Sequence, residues 1–183
     1  MKGLIRRLVS QSPEIPMTGR IAILALKKAV GEPVLAARRS AEEALAECGP
    51  DAIPEIVRAL GEAPQTMRWY LARAIARMGL PAFEPVIEEI RRTDNPEVRR
   101  YLTASLAAFG EAAIPLLIRL LADDDVAVRG AAALALCRIG DPAMPALKEV
   151  SEGDDPFLRN SAGLVLFRMG EEGIMTLFSE DGE

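Results

Sequence analysis

Apolar residues recur along the chain with the spacing of one face of an α-helix. In one stretch they stand at positions i, i+4, i+7, i+8 and i+11, which hold Val128, Ala132, Ala135, Leu136 and Ile139. Such spacing places side chains along one side of a helix, called helix A here. Gly140 follows at once, and a second apolar stretch with helical spacing begins near Pro145. The pattern predicts two helices, A and B, joined by a turn at the glycine.

This helix pair returns five times with a nearly constant period. The glycines after helix A are separated by 30, 31, 30 and 30 residues, and they are Gly49, Gly79, Gly110, Gly140 and Gly170. An arginine precedes each glycine by eleven residues, and these are Arg38, Arg68, Arg99, Arg129 and Arg159. Because one such pair cannot bury its own apolar face, the period predicts that neighbouring pairs stack. The predicted fold class is an all-α solenoid (an alpha-alpha superhelix) of antiparallel helix pairs.

The repeats are predicted to form one continuous domain. Five regular repeats are expected over residues 34–183, with boundaries at 34–65, 66–95, 96–125, 126–155 and 156–183. The extra residue behind the 31-residue spacing is expected in the loop between Arg91 and Pro96.

The first residues are predicted to form a degenerate repeat. Residues 1–33 hold Ile23, Leu26 and Val30, which stand thirty residues before three apolar residues of the next helix B. We expect this unit to act as an N-terminal cap. It begins with a short basic helix over residues 1–10, expected to be solvated.

Each turn has residues that suit the end of one helix and the start of another. The glycines are expected at positive φ, and helix B is expected to open at Pro54, Pro115 and Pro145. Acidic loops before helix A are predicted to supply N-caps, and the arginine column a ladder of hydrogen bonds and ion pairs. The fifth repeat lacks the opening proline and has Met175 instead, so a short separate helix is expected near residues 174–178.

Composition and charge reduce the number of possible functions. Half of the residues are apolar and 4% are aromatic, so the core is expected to consist of Ala, Leu, Ile, Val and Met. The net charge of −5 combines a basic start with an acidic body, which disfavours non-specific nucleic-acid binding. No apolar run is long enough for a membrane span, and we expect a cytoplasmic protein. Cys48 is expected in the core and Cys137 on the outward side of helix A, both as free thiols.

The sequence offers no catalytic constellation. Histidine is absent, which removes the commonest general base and a common metal ligand. The acidic loops do not have the spacing of a calcium loop. We therefore expect no enzyme activity, with no catalytic, cofactor-binding or metal-binding residues.

The repeat motif resembles HEAT repeats, most closely the short HEAT-like class named after phycobilisome (PBS) lyases. The residues that carry the resemblance in the fourth repeat are Val128-Arg129, Ala132, Ala135-Leu136, Ile139-Gly140-Asp141 and Met144-Pro145. It implies a scaffold that most often binds proteins, and we expect a non-enzymatic scaffold here. An alternative implied by the resemblance is a tetrapyrrole (bilin) lyase or chaperone, with Trp69, Tyr70 and Cys137 near the chromophore. A third alternative is a HEAT-like DNA glycosylase, which the acidic balance disfavours.

Two surfaces are candidates for binding a protein partner. The first is the side of helix B opposite its buried face, which the resemblance places on the concave side, and its residues are Lys28, Glu55, Arg58, Glu88, Leu116, Arg119 and Glu149. The second is an apolar C-terminal surface on the outward side of helix A, formed by Leu134, Cys137, Leu164 and Phe167. This surface is also predicted to support a homodimer. Trp69 is a further candidate anchor.

Overall fold

The computed structural model describes residues 19–30 and 35–180, with side chains over 19–29 and 39–170. These residues form ten α-helices and no β-strand. The helices are α1 Gly19–Val30, α2 Leu35–Glu47, α3 Ile53–Glu62, α4 Gln65–Met78, α5 Phe83–Arg92, α6 Pro96–Ala108, α7 Ile114–Leu120, α8 Val126–Ile139, α9 Met144–Ser151 and α10 Pro156–Glu180. Short 3-10 helices precede four of them, at Pro50–Ala52, Leu80–Ala82, Gly110–Ala113 and Asp141–Ala143.

The helices cluster into two compact units. The first comprises Met1–Glu89 with Asp94–Tyr101, and the second comprises Ile90–Thr93 with Leu102–Glu183. In the first unit α2 packs on α4, both of type A, and α1 packs on α3, both of type B. In the second unit α8 packs on α10 and α7 on α9 in the same way. Helices of one type thus stack on the next helix of that type, which confirms the predicted all-α solenoid class.

Glycine ends helix A where the sequence predicts it in four repeats. Gly79 has φ 69° and ψ −158°, and Gly140 has φ 75° and ψ −140°. The positive φ confirms the prediction, but ψ is extended rather than left-handed helical, a region open essentially to glycine alone. A 3-10 turn follows each glycine, with Pro81 and Pro142 near its start. These prolines are visible in the sequence, but they were used to predict only helix B and not the 3-10 turn before it.

The fifth repeat contradicts the expected turn. Gly170 has no positive φ, and α10 continues without a break from Pro156 to Glu180. The prediction that Gly170 ends helix A, with a short separate helix after it, is therefore wrong for this structure. The fourth repeat has Pro142 and Pro145 in its turn, whereas the fifth has no proline there. A glycine inside a helix costs only about 1 kcal/mol, so glycine alone does not end this helix.

The core lies along the predicted apolar columns. In helix A of the fourth repeat Val128, Ala132 and Leu136 are completely buried. An alanine at the end of each 3-10 turn is also buried, a column that the prediction did not include: Ala52, Ala82, Ala113 and Ala143.

The loop between the second and third repeats contains the expected extra residue. The loop after α3 has two residues, Ala63 and Pro64, whereas the loop after α5 has three, residues 93–95. Since α3 and α5 both have ten residues, and Arg68 and Arg99 both stand three residues after the start of their helix, the longer period arises in this loop.

Several predictions concern residues that the structure does not describe. The basic helix over 1–10, the residues 31–34 at the predicted repeat boundary, and the side chains of Arg38 and of residues 174–178 lie outside the described part. The repeat boundaries and the single continuous domain remain predictions.

Candidate functional site

The acidic loops cap helices. Asp125 Oδ1 accepts hydrogen bonds from the backbone N–H of Ala127 at 2.7 Å and of Val128 at 3.2 Å. Asp155 caps α10 in the same way, with donors at 2.8 and 3.1 Å, and Asn95 caps α6. The predicted capping role is confirmed. Among the residues that the structure describes, no group of three His, Cys, Asp or Glu side chains is placed to hold a metal ion.

The arginine column binds the loops that precede helix A. Arg129 Nη1 donates to the carbonyl oxygens of Asp123 at 2.7 Å and Asp124 at 2.9 Å. Arg159 Nη1 donates to the carbonyl of Gly153 at 3.3 Å in the next repeat. Arg68 instead pairs with Glu97 at 3.5 Å. These contacts confirm the predicted ladder, since the guanidinium groups hold the loops rather than form an open anion-binding stripe.

The predicted helix-B surface has two columns with different burial. One column is exposed in every repeat and consists of Lys28, Arg58, Glu88, Arg119 and Glu149. The other is half-buried and consists of Ala25, Glu55, Pro85, Leu116 and Ala146. In the first unit Glu55 also pairs with Arg20 at 3.5 Å. The exposed column contains both basic and acidic residues in each unit, so it forms neither a basic nor an acidic stripe.

The outward side of helix A is apolar in the second unit. Leu164 is 70% exposed, Phe167 65% and Leu134 37%. Leu164 and Phe167 lie on α10 and Leu134 on α8, which packs against α10. We call these three residues the outer apolar patch. Their solvent exposure confirms the outward orientation predicted for them.

Arginines stand on the same helix faces as this patch. Arg138 follows Leu134 by four residues and Arg168 follows Leu164 by four, and residues at this spacing are neighbours on a helix surface. Both arginines are exposed. Each of the two helices thus presents a leucine with an arginine one turn further on.

Cys137 does not belong to the outer apolar patch. It is buried, so the prediction that its thiol faces solvent is wrong. Leu134 stands three residues before it on the same side of α8 and is much larger. Because side chains at this spacing are neighbours, a small cysteine beside a leucine is easily covered.

Cys48 also differs from the prediction. It is half-buried rather than fully buried, and its thiol donates a hydrogen bond to the carbonyl oxygen of Ala44 at 3.3 Å. Desolvation by burial raises the pKa of this thiol, and the negative charge of Glu47 raises the pKa further. A raised pKa leaves little thiolate at neutral pH, which is unlike a reactive cysteine.

Two other exposed apolar side chains in the second unit were missed by the sequence analysis. Phe157 and Val126 are both exposed in the first turns of their helices, α10 and α8. The guanidinium carbon of Arg129 lies 5.9 Å from the centre of the Phe157 ring. Their only signal in the sequence was an apolar residue one or two positions after a predicted N-cap.

In the first unit a buried carboxylate was also missed. Glu42 on α2 is completely buried, and its Oε1 pairs with Arg77 Nε at 2.6 Å and Arg73 Nε at 3.3 Å. Its Oε2 has no hydrogen-bond partner. The sequence signal was a glutamate in a column that holds only small residues in the other repeats, namely Ala72, Thr103, Ala133 and Gly163.

Trp69 stands near these arginines on the same helix. It is 56% exposed, whereas Tyr70 beside it is half-buried. Trp69, Arg73 and Arg77 follow each other at intervals of four residues on α4. The tryptophan is therefore accessible, while both arginines are engaged by Glu42.

These features define an all-α helical-repeat protein whose conspicuous surface feature is apolar and not a catalytic cluster. In a comparison with family models, residues 83–166 match the model described as HEAT repeats. This part of the chain is therefore built of HEAT repeats. Its repeat motif keeps the resemblance to the phycobilisome lyase type.

Solved structures give weaker likenesses. One is the complex of CpcE and CpcF of phycocyanin lyase from Nostoc sp. PCC7120, at 22% identity and a TM-score of 0.36, covering 79% of this chain and 98% of that one. Two are engineered proteins. The first has 18% identity and a TM-score of 0.30, and the match covers 83% of this chain and 80% of that protein. The second has 20% identity and a TM-score of 0.32, and the match covers 91% of this chain and 47% of that protein. At these TM-scores the likenesses decide nothing about function. No curated protein matches the chain.

No single helix in the described ranges is long and apolar enough to cross a membrane. The helix Pro96–Ala108 and the segment Gly110–Leu120 reach the required length and composition only when taken together, and they are bent by 108° relative to each other.

Proposed function

We propose that this protein is a non-enzymatic repeat scaffold that docks a partner protein on its outer apolar patch. The observation that carries the proposal is the exposure of Leu164 and Phe167, at 70% and 65%. Contiguous exposed apolar side chains are costly in water and are typical of protein-binding surfaces. A phenylalanine and leucines on stacked helices supply apolar surface whose burial against a partner stabilises the complex.

The contrast with the first unit supports a specific role. The positions equivalent to Leu134 and Leu164 hold Glu43 and Arg73 there. The repeat fold therefore does not require apolar residues at these positions. Their presence on α8 and α10 needs another reason, and docking supplies it.

The flanking charges favour one kind of partner. Arg138 and Arg168 lie one turn beyond the leucines on the same faces. An amphipathic helix with leucines or phenylalanines on one side and acidic residues at one end would match both features. We therefore propose a helical segment of another protein as the occupant.

The exposed helix-B column is a second candidate surface. It carries charges of both signs, with Arg58 and Glu88 in the first unit and Arg119 and Glu149 in the second. Such a pattern suits a partner of mixed charge, and it would fix the orientation of that partner more than it would raise the binding affinity. The helix-B column does not support nucleic-acid binding, because it contains acidic as well as basic residues.

The bilin-lyase alternative rests on the repeat resemblance alone. Cys137, the thiol suggested for it, is buried. An absorption spectrum of the protein purified from its native cells would test it, since a bound tetrapyrrole absorbs visible light.

A peptide titration tests the proposed docking surface. The probe is a fluorescein-labelled synthetic helix with leucine and phenylalanine on one face and glutamates at one end, followed by fluorescence anisotropy. We expect saturable binding to the wild type and at least a tenfold weaker affinity for Phe167→Glu, about 1.4 kcal/mol. A charge placed in a desolvated apolar contact has no compensating partner.

Trp69→Glu is the matched control. It exchanges another exposed aromatic residue for the same acid, but in the first unit. Its affinity should equal that of the wild type. Equal losses in both variants, or no binding to the wild type by this probe and by a series with varied register, would refute the proposed surface.

A further inference from the structure

The fifth repeat has apolar core positions that its own chain leaves partly open. Leu158 and Leu166 on α10 are half-buried, whereas their counterparts in the fourth repeat, Val128 and Leu136, are completely buried. Met144 at the start of α9 is also half-buried, although Ile53, Phe83 and Ile114 in the same column are buried. We call Met144, Leu158 and Leu166 the open core positions.

The missing cover is a helix B. In both units a helix B packs on the helix B of the next repeat, as α1 does on α3 and α7 on α9. The fifth repeat has no separate helix B that could pack on α9 in this way, because α10 is one continuous helix from Pro156 to Glu180. The ten residues beyond Gly170 extend the helix by about 15 Å.

The sequence of these ten residues nevertheless has the pattern of a helix B. Ile174 stands at the position of Ile53, Phe83, Ile114 and Met144, and Leu177 at that of Ile56, Val86, Leu117 and Leu147. The residues that would turn the chain back are absent, since Glu172 and Met175 replace Pro142 and Pro145. The segment thus matches the open core positions in register, but the continuous helix carries it away from those of its own chain.

We propose that two copies of this chain exchange residues 171–180. Each segment takes the place of the missing helix B in the other copy and covers its open core positions. Exchange of this kind uses the contacts that a folded-back segment would make, so it needs no new complementary surface. The continuity of α10 favours it, because residues 171–180 cannot both extend α10 and fold back over the core of the same copy. The core that receives the segment is distinct from the outer apolar patch, because Leu158 and Leu166 lie on the opposite side of α10 from Leu164 and Phe167.

Multi-angle light scattering over a wide range of concentration provides the first test. The wild type should be a dimer that dissociates on dilution. Leu177→Asp should be monomeric, whereas the matched control Thr176→Asp, outside the two columns, should remain dimeric. A wild type that is monomeric at every concentration, or a Leu177→Asp variant that is as dimeric as the wild type, would overturn the proposal.

Substitutions at and near Gly170 should change the stability of the dimer in opposite directions. A methyl group added at Gly170 meets no atom within 4 Å, so Gly170→Ala should strengthen the straight helix without a clash. It should lower the dissociation constant of the dimer by at least about fivefold. Glu172→Pro with Met175→Pro restores the prolines of the fourth repeat and should give a folded monomer. If this double variant does not fold, the effect of Gly170→Ala still decides, because an unchanged dissociation constant contradicts the proposal.

A complementation experiment separates exchange from ordinary side-by-side pairing. Leu177→Asp damages the segment, and Leu166→Asp damages the core that receives it, so each variant alone should be monomeric. Mixed together they should form a heterodimer, because the intact segment of the Leu166→Asp copy fits the intact core of the Leu177→Asp copy. A mixture that stays monomeric refutes reciprocal exchange. Phe167→Glu, which alters only the outer apolar patch, should leave the wild-type dimer unchanged.

Discussion

Glycine has two different roles in this chain, and the backbone separates them. Gly140 has φ 75° and ψ −140°, which an L side chain adopts only with strain, whereas Gly130 lies exposed inside α8. Both residues are equally visible in the sequence. The periodicity distinguishes them, because only Gly140 stands at the repeated stop position.

This difference predicts opposite effects of the same substitution. Gly130→Ala should stabilise the protein by about 0.5–1 kcal/mol, since the new methyl group meets no atom within 4 Å and alanine favours the helix. Gly140→Ala should destabilise it by about 1–3 kcal/mol. Urea unfolding followed by circular dichroism measures both. Destabilisation by Gly130→Ala would show that α8 is not the regular helix described.

The thiol of Cys48 gives a prediction about pH. Burial and Glu47 raise its pKa, so its reactive thiolate should form only at higher pH than in an exposed cysteine peptide. The rate of labelling by a disulfide reagent, measured in a Cys137→Ala background, should rise at correspondingly higher pH. An onset at or below that of the peptide would contradict the half-buried environment.

At the scale of single elements, the start of helix A depends on one side chain. Asp125 accepts two backbone hydrogen bonds at the start of α8. Asp125→Ala should cost about 1 kcal/mol, whereas Asp125→Asn keeps an acceptor and should cost only a few tenths. Thermal unfolding compares the two variants. Equal losses would mean that the negative charge, rather than the cap, stabilises this helix.

The contact between α2 and α4 contains an asymmetric ion pair. Glu42 is completely buried, while the side chains of Arg73 and Arg77 are about 40% exposed. Glu42→Ala should therefore change stability by no more than about 1 kcal/mol, because both arginines remain hydrated. Replacement of both arginines by alanine leaves an unpaired buried carboxylate and should cost about 2 kcal/mol or more. Chemical denaturation of the two variants tests this order, and the reverse order would contradict it.

Most elements were predictable because the same sequence signals recur in several repeats. Stops at four glycines, caps at Asp125 and Asp155, and the extra residue in loop 93–95 follow from local chemistry. Burial beyond a single helix was harder to predict. The cover over Cys137 depends on neighbouring side chains, and the partial opening at Cys48 on packing between helices, which periodicity alone does not contain.

The fifth repeat shows the limit of the periodic argument most clearly. Gly170 occupies the stop position, yet α10 continues through it. The stop is a joint effect of glycine and the prolines of the turn, and only the glycine is present here. Periodicity predicts where a turn belongs, while the local residues decide whether the chain makes it.

For the whole molecule, the candidate site was predicted in part. The exposure of Leu134, Leu164 and Phe167 was predicted from their positions on the outward side of helix A, and the structure confirms it. The buried Glu42 and the exposed Phe157 and Val126 were not predicted. A helical wheel assigns a direction to each side chain but not the neighbours that cover it.

We propose above all that this repeat scaffold holds a partner through the outer apolar patch. The most direct test of this proposal is quantitative mass spectrometry of proteins retained from the native cell extract by immobilised wild type, Phe167→Glu and Trp69→Glu. We predict that at least one protein is retained equally by the wild type and Trp69→Glu and at least tenfold less by Phe167→Glu. Identical sets on all three, or a loss confined to Trp69→Glu, would contradict the account.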